Sequence, residues 1–505
     1  MNRKDLYKQG GHSVQAQRSR RRGQEADLRK ERRERLLSSK RIRFAEEEAE
    51  EEDFTVEQVR DYAKAIQKYD SNTLHCLRSL RKAFAQGSEL ISAFMGVENG
   101  LRSVVGYLTG HNIDLQLEAA WCITNLSAGT HEDTLRVLKA AAPYLITYLS
   151  GQNLSLQDQC AWALGNMSGD SVECRDLLRA QGIVPPMANL LKSEIPSIVQ
   201  SAAFALSNLA RGHSQAADDM MGLGIASMIC ALLVPGQSTI EVVTEVSWVS
   251  TYLTSKPDNL AAFVESGVID HLVRILHSLV QEAQPNSQAI TPILRCLGNI
   301  ISGPDEYGAM AMQGGLLLHA VMACLQSSHR HVRKESLWVL SNLTAGPAES
   351  CWAVVHAGLV PVTVKMLASE AFDIKKEVAL TLCNISYHGP DCLKVVLDCR
   401  GMEGFVHLLK SHDQDTVLTA LQFAEMALRL FPDSKNTFEE LEGVACLEGL
   451  EYNCNETLRQ YANELLDTYF MEETRDEEIS EETHGDLSEF RPQEMGMTGS
   501  TKEAH

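Results

Sequence analysis

Residues 171–212 read SVECRDLLRAQG IVPPMANLLKS EIPSIVQSAAFALSNLARG, and this stretch decides the fold. It divides into three phrases, each with apolar residues three and four positions apart, the spacing of one helix face. Gly182 separates the first two phrases, where a residue without Cβ permits a left-handed turn. Pro185 falls at the start of the second phrase, where a missing N–H costs no helical hydrogen bond. The stretch predicts three helices that turn back on one another.

The same paragraph of sequence recurs along the chain. Gly182, Gly224, Gly267, Gly315, Gly358 and Gly401 follow each other at 42 to 48 residues. Gly100 lies two intervals before Gly182, with Ala142 midway. Residues 348–389 repeat the pattern as AESCWAVVHAG, LVPVTVKMLASE and AFDIKKEVALTLCNISYHG, with Pro361 early in the second phrase. A three-helix unit with a period near 42 is the armadillo repeat. No such unit can bury its own apolar face, so neighbours must stack around one continuous core. About nine units are expected between roughly Asp70 and Pro432, with a shortened unit closing the array near Phe470. The division is then a charged arm with an acidic spacer over 1–53, repeats over 54–470 and an acidic tail over 471–505. Both ends have the composition of segments that stay disordered alone.

The third phrases share more than a core. They read AWCITNL, AWALGNM, AFALSNL, SWVSTYL, LRCLGNI, LWVLSNL and ALTLCNI. Trp121 precedes Asn125 by four residues, as do Trp162 and Asn166, Phe204 and Asn208, and Trp338 and Asn342. Residues four apart share a helix face. At about 100° per residue, Ala119, Ile123 and Leu126 cluster on one side and Trp121 with Asn125 fall opposite. Ser336, Leu340 and Leu343 stand likewise against Trp338 and Asn342. A ladder of aromatic and amide side chains facing away from the core marks a binding surface. Indole faces attract ammonium and guanidinium groups, and their gaps suit long aliphatic stems. A carboxamide offers one donor and one acceptor to an extended main chain. Helices pack about 8–10 Å apart and a strand advances about 3.3 Å per residue, so one unit spans about three peptide residues. The expected ligand is an extended peptide rich in Lys and Arg, and Asp170, Glu241 and Glu377 suit that charge.

Charge and composition limit the alternatives. The 505 residues carry a net charge of −21, yet the basic runs concentrate before Phe44. The acidic body repels phosphate and the arm lacks interleaved aromatics, which disfavours nucleic acid. Thirteen cysteines without paired spacing predict reduced, mostly buried thiols rather than disulfides or zinc ligands. No apolar run approaches the length of a membrane span, and the N-terminus lacks a signal peptide, so a soluble chain is expected. Nucleotide-loop, zinc-protease and nucleophile-elbow motifs are missing, so no catalysis and no cofactor are expected. A scaffold groove that binds acidic peptides would be lined by Lys and Arg, which this ladder is not.

The ladder and the arm together resemble importin-α, the nuclear import adaptor, over nearly the whole chain. In that family the middle units replace Trp…Asn by Trp…Tyr and then Arg…Asn. Here Trp248…Tyr252 and Arg295…Asn299 follow in that order. Phrases such as LQLEAAWC and YLITYLSG resemble a divergent vertebrate group of the family, the transmembrane and coiled-coil domain-containing 6 proteins. The resemblance implies an all-α, right-handed armadillo superhelix. It implies a major signal groove at Trp121, Asn125, Trp162, Asn166, Phe204 and Asn208, with a lysine pocket at Gly129, Thr134 and Asp170. It implies a minor groove at Trp248, Tyr252, Arg295, Asn299, Trp338, Asn342, Glu377 and Asn384. Phe204 and Leu380 stand where the family has Trp.

The arm, RSRRRGQEADLRKERRERLL followed by SSKRIRF, resembles the family's importin-β-binding segment. The implied contacts are Arg20, Arg21, Arg22, Leu28, Arg29, Lys30, Arg32 and Arg33. Lys40, Arg41 and Arg43 would be an internal mimic of a basic signal. The final unit, YNCNETLRQYANELLDTYF, resembles the repeat on which the family's export receptor docks. The implied partners are basic signal-bearing cargo, importin-β and that receptor. The implied setting is a monomer that shuttles between cytoplasm and nucleus.

Overall fold

A computed structural model describes residues 40–42, 53–212 and 215–470. Among them there is no strand; helices follow one another from Val56 to Tyr469. The expected armadillo solenoid is what forms. Its third helices are Thr73–Gln86, Ile113–Leu126, Leu154–Asp170, Pro196–Leu209, Ile240–Thr254, Ser287–Ile301, Arg330–Thr344, Phe372–Ser386, Gln414–Leu430 and Glu456–Tyr469, ten among the described residues. Each packs on the third helix before and after it. One apolar core runs unbroken from Phe54 to Leu465.

Local chemistry sets the helix ends. Asn112, Asn153, Thr239, Asn286, Asp413 and Asn455 cap third helices, each side chain accepting a first-turn N–H. Gly182, Gly224, Gly267, Gly315 and Gly358 all have positive φ, as the spacing predicts. The helices flanking Gly358 are bent by 79°.

Three units depart from the expected plan. At Gly100 and Gly401 the left-handed residue is the preceding Asn99 or Arg400 (φ 59° and 65°). Each glycine instead opens the next helix, close to what came before. A Cβ on Gly401 would stand 2.6 Å from Val396 Cγ1, and one on Gly100 would stand 3.4 Å from the Phe94 ring. At Ala142 no turn forms, and one helix runs from His131 to Tyr148 with Pro143 inside it. A left-handed alanine costs about 1–2 kcal/mol, so the first two helices of that unit fuse.

Asp305–Leu325 has the length and composition of a membrane-crossing helix. It is broken at Gly314 (φ 74°) into Asp305–Met312 and Leu316–Leu325, and both pieces pack within the array. All thirteen cysteines are free; eleven are buried, Cys399 is half-buried and Cys454 is exposed. Burial pushes the Cys122, Cys160 and Cys351 thiols up.

Candidate peptide-binding groove

The third helices present Trp121, Trp162, Trp248 and Trp338 half-exposed. Their core faces are sealed: Ala119, Ile123, Leu340 and Leu343 are buried. The ladder therefore points away from the core, as the helical arithmetic predicts. The asparagines do not share this exposure. Asn125, Asn166, Asn208, Asn342 and Asn384 are buried between third helices. Each amide nitrogen donates to a carbonyl of the preceding third helix. Asn125 Nδ2 reaches Arg81 O at 3.1 Å, Asn166 Thr124 O at 3.1 Å and Asn208 Gly165 O at 3.0 Å. Asn299 reaches Thr251 O at 2.9 Å, Asn342 Gly298 O at 3.0 Å and Asn384 Ser341 O at 3.0 Å. The amides staple the units together, and the Asn166 oxygen also meets the arm.

Residues 40–42 of the arm lie in this groove. Lys40 Nζ donates to Gly129 O at 2.7 Å and Thr134 Oγ1 at 2.8 Å, and pairs with Asp170 Oδ1 at 2.5 Å. The structure thus brings together the three residues of the expected lysine pocket. Gly129 follows the Ile113–Leu126 helix, whose terminal carbonyls favour a cation. A Cβ on Gly129 would stand 2.9 Å from Ile91 Cγ2 and 3.1 Å from Leu126 O, so a larger residue would have to displace its neighbours. Burial alone would raise the Asp170 carboxyl, but hydrogen bonds from Lys40 and His131 hold it below its ordinary range.

Arg41 is read through its main chain and its side chain. Its N–H donates to Asn166 Oδ1 at 2.8 Å, and its carbonyl accepts from Trp162 Nε1 and Asn166 Nδ2, both at 3.0 Å. Its guanidinium lies 4.5 Å from the Phe204 ring centroid and pairs with Glu245. Phe204 keeps the cation–π contact that a tryptophan would make, without an indole donor. Lys40 and Arg41 reach opposite walls, the alternation of an extended chain.

Other predicted residues meet neighbours within the array. Trp121 carries the Arg81 guanidinium 4.2 Å from its ring, and Arg81 pairs with Glu118. Farther along, Arg295 lies 5.2 Å from the Trp248 ring and 3.0 Å from Glu335 Oε1. Trp248 and Tyr252 stack at 6.2 Å. Glu377 is buried on the Phe372–Ser386 helix, and Leu380, half-buried, gives that unit no aromatic wall. Glu241, expected near a basic ligand, is exposed, and among the described residues it is Glu245, one turn on, that takes Arg41. Arg20, Arg21, Arg22, Leu28, Arg29, Lys30, Arg32, Arg33 and Arg43 lie outside the described residues, as does the acidic tail.

Glu245 belongs to a register that the sequence reading missed. Glu118, Glu245, Glu335 and Glu377 each stand three residues before the ladder position, in EAAW, EVSW, ESLW and EVAL. All four are buried, and three of them hold an arginine.

Known proteins resemble this chain along most of its length. A family model described as TMCO6 matches residues 59–470. Importin subunit alpha-2 of Oryza sativa subsp. japonica is 35% identical over 90% of this chain and 93% of its own. Importin subunit alpha-9 of Arabidopsis thaliana is 31% identical over 94% and 98%. The crystal structure of an engineered protein superposes with a TM-score of 0.72 at 26% identity, covering 81% of this chain and 98% of that one. With its stapled Trp/Asn ladder and these relatives, the chain belongs to the importin-α family of armadillo-repeat proteins and to the family described as TMCO6.

Proposed function

We propose that this protein is a nuclear import adaptor that binds basic localisation signals in its third-helix groove and importin-β through its arm. The observation that carries the reading is the seat of Lys40 and Arg41. An ammonium held by a carbonyl, a hydroxyl and a carboxylate, beside a main chain gripped by Asn166 and Trp162, is the chemistry a Lys–Arg signal needs. The arm then acts as an internal competitor. Importin-β, by drawing residues 1–53 away, would free the groove for cargo, and the protein would shuttle between cytoplasm and nucleus without catalysing a reaction. The major groove is the stronger half. In the second, Leu380 removes a ring that could face a cation, which favours cargo with a single basic cluster.

The test is anisotropy of a labelled Lys-rich signal peptide against the full chain and a Lys40→Ala/Arg41→Ala variant. Relief of competition should tighten apparent affinity in the variant by the inverse of the fraction open in the parent, about tenfold if the arm occupies nine-tenths. Absence of binding to the variant sinks the groove reading. Failure of importin-β to capture the full chain sinks the arm reading separately.

A further inference from the structure

The lysine pocket holds donors that lysine does not use. Lys40 takes Asp170 Oδ1. The other oxygen, Oδ2, contacts His131 Nδ1 and lies 3.6 Å from Cys174 Sγ. The three donor atoms all lie within 4.8 Å of one another. They come from three helix ends in adjacent units. His131 opens the helix capped by Thr130, Asp170 ends a third helix, and Cys174 lies in the first turn capped by Ser171. The other nitrogen of His131, Nε2, has Glu173 Oε2 at 3.9 Å. That distance is longer than a hydrogen bond, but it leaves a carboxylate beside the far nitrogen that a small side-chain rotation would bring into the orienting position behind a metal-ligating histidine.

We infer that His131, Asp170 and Cys174 form a Zn2+ site that competes with basic peptides for Asp170. Thiolate, imidazole and carboxylate are a zinc donor set, and three protein ligands leave the fourth tetrahedral position open. Ligand bonds of about 2.0–2.3 Å put tetrahedral donors about 3.3–3.8 Å apart. Asp170 and Cys174 already stand at that separation, and the exposed ring of His131 can turn to complete it. Binding releases the Cys174 thiol proton and leaves the sulfur lone pair on the metal. A divalent ion on one carboxylate oxygen repels an ammonium on the other, so metal and lysine exclude each other, and each lowers the other's affinity equally. Only this consequence rests on the groove reading; the metal site stands without it.

The test uses the full chain carrying Lys40→Ala, its groove freed of the arm lysine, titrated with Zn2+ against a chromophoric chelator. One equivalent should bind, and His131→Gln or Cys174→Ala added to that chain should each weaken it by about tenfold or more. Saturating Zn2+ should weaken a Lys-rich peptide by about tenfold or more, reversibly with chelator, under the same linkage. With Cys174→Ala, peptide affinity should stay unchanged and become insensitive to zinc. Zinc binding equal in parent and variants, or peptide affinity indifferent to one bound zinc, overturns the inference. Zinc loading through these residues with no peptide bound under any condition supports the metal site and sinks the groove instead.

Discussion

Asn166 and Arg41 exchange hydrogen bonds in both directions: the Arg41 N–H donates to Asn166 Oδ1 at 2.8 Å, and Asn166 Nδ2 donates to the Arg41 carbonyl at 3.0 Å. The same Nδ2 also reaches Thr124 O on the preceding third helix at 3.1 Å. One carboxamide therefore locks two units together and holds the main chain of the arm. An aspartate has no N–H to donate to the carbonyls, and an aliphatic residue would leave a buried carbonyl unpaired.

Asn384 makes the same staple to Ser341 O at 3.0 Å, far from the described arm residues. Asn384→Ala removes this bond between units, while the carbonyl keeps its bonds from Ala345 N and Thr344 Oγ1, so the loss is about 0.5–1.5 kcal/mol. Urea denaturation should show the loss, while signal-peptide binding to the Lys40 pocket stays as it was. An unchanged midpoint would mean that the ladder amides serve ligands only.

Asp170 is the anion on which Lys40 closes. Asp170→Lys puts a second cation into the pocket and leaves the first unpaired. Loss of one partner of a buried charge pair costs about 2–5 kcal/mol, or about thirtyfold to several thousandfold in affinity. Anisotropy with a Lys-rich peptide should show binding abolished at micromolar protein. Survival of binding would place the lysine site elsewhere.

The repeat and the outward ladder were legible because both follow from local periodicity. The glycine turns were legible where φ is positive. At Ala142 the missing glycine was a warning, since the chain had no cheap left-handed residue there and kept its helix through Pro143. The burial of the asparagines was not legible, because the carbonyl each one meets lies about 42 residues upstream. Glu245 was missed for a different reason. Its face is set by Trp248, three residues on, and the EVSW, EAAW and ESLW phrases carried that signal. Its partner Arg41 is 204 residues distant, and no spacing rule spans that.

Glu245 makes the groove sensitive to acid. Burial holds its carboxyl above the ordinary 4.5, and Arg41 pulls in the opposite direction. Without a cation that pull is gone, so the empty groove holds its proton to still higher pH. Ligand arrival expels the proton, and affinity rises with pH until the empty-groove value is passed. The Asp170 carboxyl is shifted in the opposite direction, so its contribution survives to lower pH. Held below 3.8, its contribution is complete at neutral pH and is lost only as pH falls through that lowered value. Between pH 7 and about 5, a Lys–Arg peptide should weaken more than a Lys–Ala peptide, which lacks the side chain that meets Glu245. Glu245→Gln should remove the difference and weaken the Lys–Arg peptide about tenfold at pH 7. Equal pH profiles for the two peptides would separate Glu245 from signal recognition.

Trp338 owes its place to a glycine forty residues earlier. A Cβ on Gly298 would stand 2.5 Å from Cε3 and Cζ3 of that indole, and one on Gly165 would stand 2.6 Å from Phe204 Cδ1. In both units the ring lies flat on the preceding third helix, over a residue with no side chain. Gly298→Ala must push the indole outward or the two helices apart. Overpacking of this kind costs about 1–3 kcal/mol, despite the gain of about 1 kcal/mol that alanine brings to a helix interior. Gly106→Ala is the matched control, since nothing lies within 4 Å of its added Cβ. Denaturation should show Gly106→Ala neutral or stabilised and Gly298→Ala destabilised, with peptide binding at the second groove lost and binding at Asp170 retained. Equal stability in both variants would mean that the indole can leave its seat freely, and the wall of the second groove would then need another cause.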